Sequence, residues 1–84
     1  MTVRVRLFAA LRDAVGCDSF ELAAHERLDV VAVIDAIRAR FGDAAYAAVS
    51  AENVRVAVNR EFVTHPFRLN DGDEIAFMPP VTGG

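Results

Sequence analysis

The clearest chemistry in the sequence belongs to its last residues, Pro79-Pro80-Val81-Thr82-Gly83-Gly84. The terminal carboxylate of Gly84 is the only reactive group this segment presents. It is a poor electrophile as it stands and needs activation, most simply as an acyl-adenylate made from ATP, before a nucleophile can attack it. The residues ahead of it suit delivery into another protein's cleft. Gly83 and Gly84 carry no side chain, so the tip can enter a narrow channel and adopt any φ there. Pro79 and Pro80 each fix φ and remove a backbone donor, so a strand must stop at Met78 and continue as a stiff polyproline-II exit. Six extended residues reach roughly 20 Å. A bare Gly-Gly ending is common among frayed termini; the specificity lies in its combination with the prolines and the strand before them.

No other group of residues makes a comparable case. Cys17 is the one cysteine, so an intramolecular disulfide and a CxxC metal site are both ruled out, and it reads as a small half-buried residue. His25 and His65 lack ligand-like spacing to each other and to Cys17, so no metal site is expected. Asp71, Asp73 and Glu74 follow a turn and read as a solvated acidic edge. Arg12 either pairs with a nearby acid or meets a partner. Without a catalytic dyad or metal cluster, the expectation is a carrier or subunit, not an enzyme, with no catalytic residue and no cofactor of its own.

Composition agrees with that reading. The 84 residues make one small domain, and a hydrophobic fraction of 54% with 25% charged residues specifies a folded chain. A net charge of −3 gives no electrostatic footprint for nucleic acid. All nine basic residues are arginine, so the chain offers no lysine side chain for amide branching onto itself. No apolar run approaches the roughly 20 residues of a membrane span, and the start lacks a secretory pattern, so a cytoplasmic location is expected.

The elements that must position the tail follow from periodicity. Residues 2–8 alternate, with Val3, Val5 and Leu7 inward and Thr2, Arg4, Arg6 and Phe8 outward. Ala9 to Val15 favours a helical turn closed by Gly16. A strand follows over Cys17–Ala23, with Phe20 and Leu22 buried. Asp29 is placed to N-cap a helix over Val30–Phe41, whose Val30, Val33, Ile34, Ile37 and Phe41 form one stripe, and Gly42 to end it in the left-handed region. Asp43 to Asn53 reads as an Ala-rich connector with a weak helix near Tyr46. Val54, Val56 and Val58 then point inward, with Arg55, Ala57 and Asn59 outward. Asn59-Arg60-Glu61 turns into a short strand at Phe62-Val63, broken by His65-Pro66. Asn70-Asp71-Gly72-Asp73 is a turn, and the last strand, Glu74–Met78, sets Ile75 and Phe77 inward and Ala76 and Met78 outward. Phe8 and Met78 thus lie on the non-core phase, where an apolar side chain calls for a partner. One helix across a small mixed sheet gives an α+β fold in the β-grasp, or ubiquitin-like, order, with residues 1–78 as the domain and 79–84 as a flexible tail.

The sequence resembles the MoaD/ThiS family of sulfur carriers. The matching residues are Phe8-Ala9, Leu11-Arg12, Gly16, Val56-Ala57-Val58-Asn59, Asp71-Gly72-Asp73-Glu74 and, above all, Phe77-Met78-Pro79-Pro80-Val81-Thr82-Gly83-Gly84. The resemblance spans the whole chain and points within the family to the small subunit of a molybdopterin synthase. It implies that a ubiquitin-activating-like adenylyltransferase, using ATP and magnesium, activates the Gly84 carboxylate, which then becomes a thiocarboxylate. Gly83 serves as spacer. The tail would enter the large synthase subunit, two carriers docking at opposite ends of a large-subunit dimer, and sulfur would pass to a pterin precursor of the molybdenum cofactor. The family's partner-binding patch falls on Phe8, Phe62 and Met78, the last standing where the family often carries an aromatic residue. The same activation chemistry would serve a carrier for thiazole, cysteine or tRNA thiolation, or a modifier joined to target lysines.

Overall fold

The computed structural model describes residues 1–24, 28–64 and 67–79. The first strand, β1 (Thr2–Leu7), alternates as its sequence requires, burying Val3, Val5 and Leu7 to 2% exposure or less. A short helix, α1 (Ala10–Val15), follows and ends on Gly16 at φ 97° and ψ 5°, the left-handed cap its sequence implies. The next strand, β2 (Ser19–Ala23), begins two residues later than the expected Cys17.

Asp29 caps α2 (Val30–Phe41) as expected, its carboxylate accepting the Ala32 N–H at 2.8 Å. Val33 and Ile37 are fully buried, and Val30, Ile34 and Phe41 pack half-buried beside them. Gly42 ends α2 with φ 100° but ψ −179°, so it lies outside the left-handed helical region that was expected. The reason is that the chain enters α3 (Asp43–Val49) at once, and an extended ψ redirects it. The Ala-rich connector is thus a two-turn helix, anchored by buried Ala45 and Val49 against α1 and α2. Across the α2–α3 joint, Arg38 Nε donates to Asp43 Oδ1 at 2.8 Å, and that bond, with the Asp43 charge, raises the Arg38 pKa above its ordinary value.

Three further strands complete the main sheet: β4 (Arg55–Val58), β5 (Glu61–Val63) and β7 (Glu74–Met78). Two residue pairs, β3 (Leu28–Asp29) and β6 (Arg68–Leu69), form a separate two-stranded ribbon that periodicity does not reveal. The main sheet runs β2-β1-β7-β4-β5, with β1 and β7 parallel at its middle and the other pairs antiparallel. Helix α2 covers the face carrying Val3, Val5, Leu7, Phe20, Ile75 and Phe77, and these residues with Val33, Ile37 and Leu69 make the core. Among the described residues no helix covers the opposite face. Val58 pairs with Glu61, so a two-residue connection, Asn59-Arg60, joins β4 to β5; both residues have positive φ, 51° and 70°, as in a type I′ hairpin turn.

Asn59 also latches that hairpin to the last strand. Its Nδ2 donates to Asp73 Oδ1 and its Oδ1 accepts the Glu74 N–H, both at 3.0 Å. Its own N–H donates to the Glu74 carbonyl at 2.8 Å, and Asp73 Oδ2 accepts the Asn70 N–H at 2.7 Å, closing the turn before β7. Asp71 Oδ1 accepts the Thr2 N–H at 2.7 Å, tying the same turn to β1. Two carboxylates of the acidic edge are therefore structural hydrogen-bond acceptors.

Two stability outcomes follow. Phe77→Ala removes a fully buried ring from the centre of the sheet and is expected to cost about 3–5 kcal/mol in urea unfolding. Asn59→Ala removes two side-chain bonds and sets a Cβ-bearing residue without local hydrogen bonding at positive φ, an expected loss of about 1–2 kcal/mol. Asn59→Gly, which relieves the φ term, should lose less by the same measurement.

Candidate functional site

The uncovered sheet face gathers the three residues of the expected partner patch. Register explains how. One row across the sheet reads Arg6, Ala76, Ala57, Phe62, each residue paired with the next on the neighbouring strand. The next row sets Met78 opposite Arg55, with Phe8 alongside, its N–H donating to the Phe77 carbonyl at 3.2 Å. Two alanines in the middle of a row of long side chains leave a dent. The result is a groove of about 320 Å³ whose lining includes Phe8, Phe62, Met78, Arg6 and Arg60.

Ala57 and Ala76 correct the sequence reading. Both point to the outer face as alternation requires, yet they are only 3% and 7% exposed. The larger side chains around them shield them, so they form the floor of the groove. The rim is open: Phe8 is 37% and Phe62 56% exposed, with Met78 half-buried. Exposed rings next to a shaped apolar floor are what an association surface requires.

Backbone strain brackets this groove. Ala9, immediately after Phe8, stands at φ 52° and ψ −125°, and Asn59 and Arg60 carry positive φ just before Phe62. Non-glycine residues in such regions cost of order 1–3 kcal/mol each and persist where surrounding structure or function holds them. Each aromatic ring also carries a guanidinium. Arg6 lies over Phe8 at 5.0 Å from the ring centroid, and Arg55 over Phe62 at 4.5 Å. Sequence reasoning did not single out Arg6, Arg55 or Arg60. Its available signal was Arg60 itself, a long charged residue where a two-residue hairpin turn ordinarily takes glycine.

The remaining candidates fall elsewhere. Pro79 directly follows Met78 and is half-buried at the end of β7, beside the groove; Pro80, Val81, Thr82, Gly83 and Gly84 lie outside the described residues, as do His25, His65 and Pro66. Cys17 is half-buried in a shallow depression with Arg12, Asp13 and Asp18, at the opposite end of α1 from Phe8. Arg12 pairs with its neighbour Asp13 at 3.8 Å, an exposed contact worth little. Among the described residues no three of His, Cys, Asp and Glu come together as a metal-holding group, and no helix is long and apolar enough to cross a membrane. What the described residues offer is an apolar groove with exposed rings, ending where the last strand reaches Pro79.

Known proteins share both the sequence and this architecture. The chain is 38% identical over 85 residues to the molybdopterin synthase sulfur carrier subunit of Escherichia coli K12, covering 98% of this chain and 99% of the relative. It is 35% identical, over the same shares of both chains, to the protein of that description from Haemophilus influenzae. In structure it matches the small archaeal modifier protein 1 of Methanosarcina acetivorans with a TM-score of 0.81 at 25% identity, over 99% of this chain and 96% of that one. These are β-grasp neighbours, and the fold is the one the element order implied. The ThiS family pattern matches residues 5–84, and the chain belongs to that family.

Proposed function

We propose that this chain is the sulfur-carrier subunit of a molybdopterin synthase. The observation that carries the reading is the 38% identical match to a subunit of that description, over 98% of this chain and 99% of the relative. The groove on the open face supports it, because a carrier needs a surface that holds its partner while the tail reaches in.

The chemistry belongs to Gly84. One carboxylate oxygen attacks the α-phosphorus of ATP on an adenylyltransferase that supplies magnesium, and pyrophosphate leaves. A sulfur nucleophile then displaces AMP from the acyl carbon, leaving a thiocarboxylate. The tail carries that sulfur into the large synthase subunit, where it passes to a pterin precursor. The carrier itself contributes no catalytic side chain. Its parts are the terminal acyl group, Gly83 as a spacer without bulk, Pro79 and Pro80 as the stiff exit, and the Phe8, Phe62 and Met78 surface for docking. This assigns it to the cytoplasm, with two carriers on a dimer of large subunits.

The structural likeness to a protein modifier favours one second reading, in which activated Gly84 is captured by a lysine of a target protein. The outcomes separate in one experiment. Incubation with the cognate activating enzyme, ATP and a sulfur donor should replace one oxygen by sulfur in the intact mass, and deletion of Gly84 should abolish the change. Lysine-linked adducts in cells, without a free thiocarboxylate, would favour the modifier; full synthase activity after Gly84 deletion would sink the carrier reading.

Docking has its own measurement. Phe62 is more than half exposed, so Phe62→Asp should leave the melting temperature nearly unchanged while weakening binding to the large subunit by about tenfold or more, as expected for an aromatic interface anchor. Unchanged affinity, read by titration calorimetry, would remove this face from the docking surface.

A further inference from the structure

The groove is cationic on a chain that is acidic overall. Net charge is −3, yet the groove is lined by Arg6 and Arg60 against the single carboxylate of Glu74, with Arg55 stacked beside them on Phe62. The pairing of these charges within the chain is thin. Arg6 approaches Glu74 only to 3.9 Å, and no ion pair involves Arg55 or Arg60 among the described residues. Glu61, the nearest acid in sequence, pairs with Val58 and so points to the opposite face of β5 from Phe62.

Arg60 carries the strongest hint. It holds φ 70°, where glycine is the low-cost residue, and its side chain lines the groove. Retaining a long cation at a strained turn points to a use for the cation. Arg55 lies over the Phe62 ring with no ion pair among the described residues, so its N–H groups can meet a carboxylate arriving from outside, while Arg6 lies over Phe8 and reaches Glu74 only at 3.9 Å.

We infer that the large-subunit surface docking on this face is an apolar centre flanked by carboxylates, and that Arg55 and Arg60 select it. The inference rests on the carrier reading given above. The aromatic residues and Met78 fill the apolar centre, while the arginines hold the rim and steer approach. Charge at an interface rim acts chiefly on association rate and on partner discrimination.

The test is binding of the full-length carrier to its cognate large subunit, followed by surface plasmon resonance from about 0.01 M to about 1 M ionic strength, over which the Debye length falls from about 30 Å to about 3 Å. Wild-type association should slow markedly across that range. At low salt the double variant Arg55→Glu with Arg60→Glu should bind about tenfold or more weakly, mainly through association, with its deficit shrinking as salt rises. The neutral variants Arg55→Gln and Arg60→Gln should fall between. The single variant Arg55→Glu should weaken binding, whereas Arg68→Glu, the same single charge reversal on β6 outside the groove, should leave it close to wild type. Circular-dichroism melting confirms that each variant is folded.

A double variant that binds within twofold of wild type at low salt overturns the inference, as does an Arg68→Glu effect equal to that of Arg55→Glu. If Phe62→Asp abolishes binding while the arginine variants do not, the carrier reading stands and the charge selection falls. If the wild-type chain fails to bind the large subunit at any salt, the carrier reading falls and takes the inference with it.

Discussion

The structure depends on the parallel pairing of its first and last strands. β1 and β7 lie side by side at the middle of the sheet, Val5 opposite Ile75 and Leu7 opposite Phe77, and all four residues are essentially removed from water. A parallel pair needs a long connection, and the intervening residues supply it as helices, an antiparallel strand and a hairpin. Burying a large apolar side chain contributes about 1.5–3 kcal/mol, and the largest such side chains here sit on or directly against this pair. Every other element is arranged around it: β2 and β4 extend the sheet outward, and α2 covers one face.

The same pairing leaves the other face as the surface proposed for docking. With all helices on one side, the outward residues of β1, β7, β4 and β5 remain open. Those residues could have been uniformly polar. Instead two alanines make a floor, three apolar side chains make the walls, and arginines lie over the rings. The polypeptide leaves this face directly through Pro79. In the proposed reading, holding and delivering fall to neighbouring segments of the chain.

Much of this was legible in the sequence because the signals were periodic or conformational. Asp29 and Gly42 bracketed α2 to the residue, since a cap and a positive-φ position have few substitutes. The alternation in β1 and β7 assigned faces correctly. What alternation cannot give is shielding: Ala57 and Ala76 are buried by side chains on neighbouring strands, so their burial depends on register. The β3–β6 ribbon escaped because two-residue strands have no period; the weak helix expected near Tyr46 is α3, although alanine marks no broad apolar stripe from which to read its bounds. Phe8 and Met78 stood out as apolar residues on a polar phase. Phe62 entered only through the family resemblance, and the arginines on the rings required knowing which strands are neighbours. The chemistry expected of the tail came from a terminal carboxylate and two glycines alone, and all of the tail but Pro79 lies outside the described residues.

The central position of β7 has a consequence for how the protein is made. Its partner β1 precedes it by residues 8–73, so the pair can form only after all of that segment and residues 74–78 have been synthesised. Closing so long a loop is the slow, entropically costly step of such a topology. A nascent chain that stalls early lacks the middle of its sheet and has no groove to offer. The sheet centre and the groove floor at Ala76 thus form in one event, and truncation before residue 74 removes both.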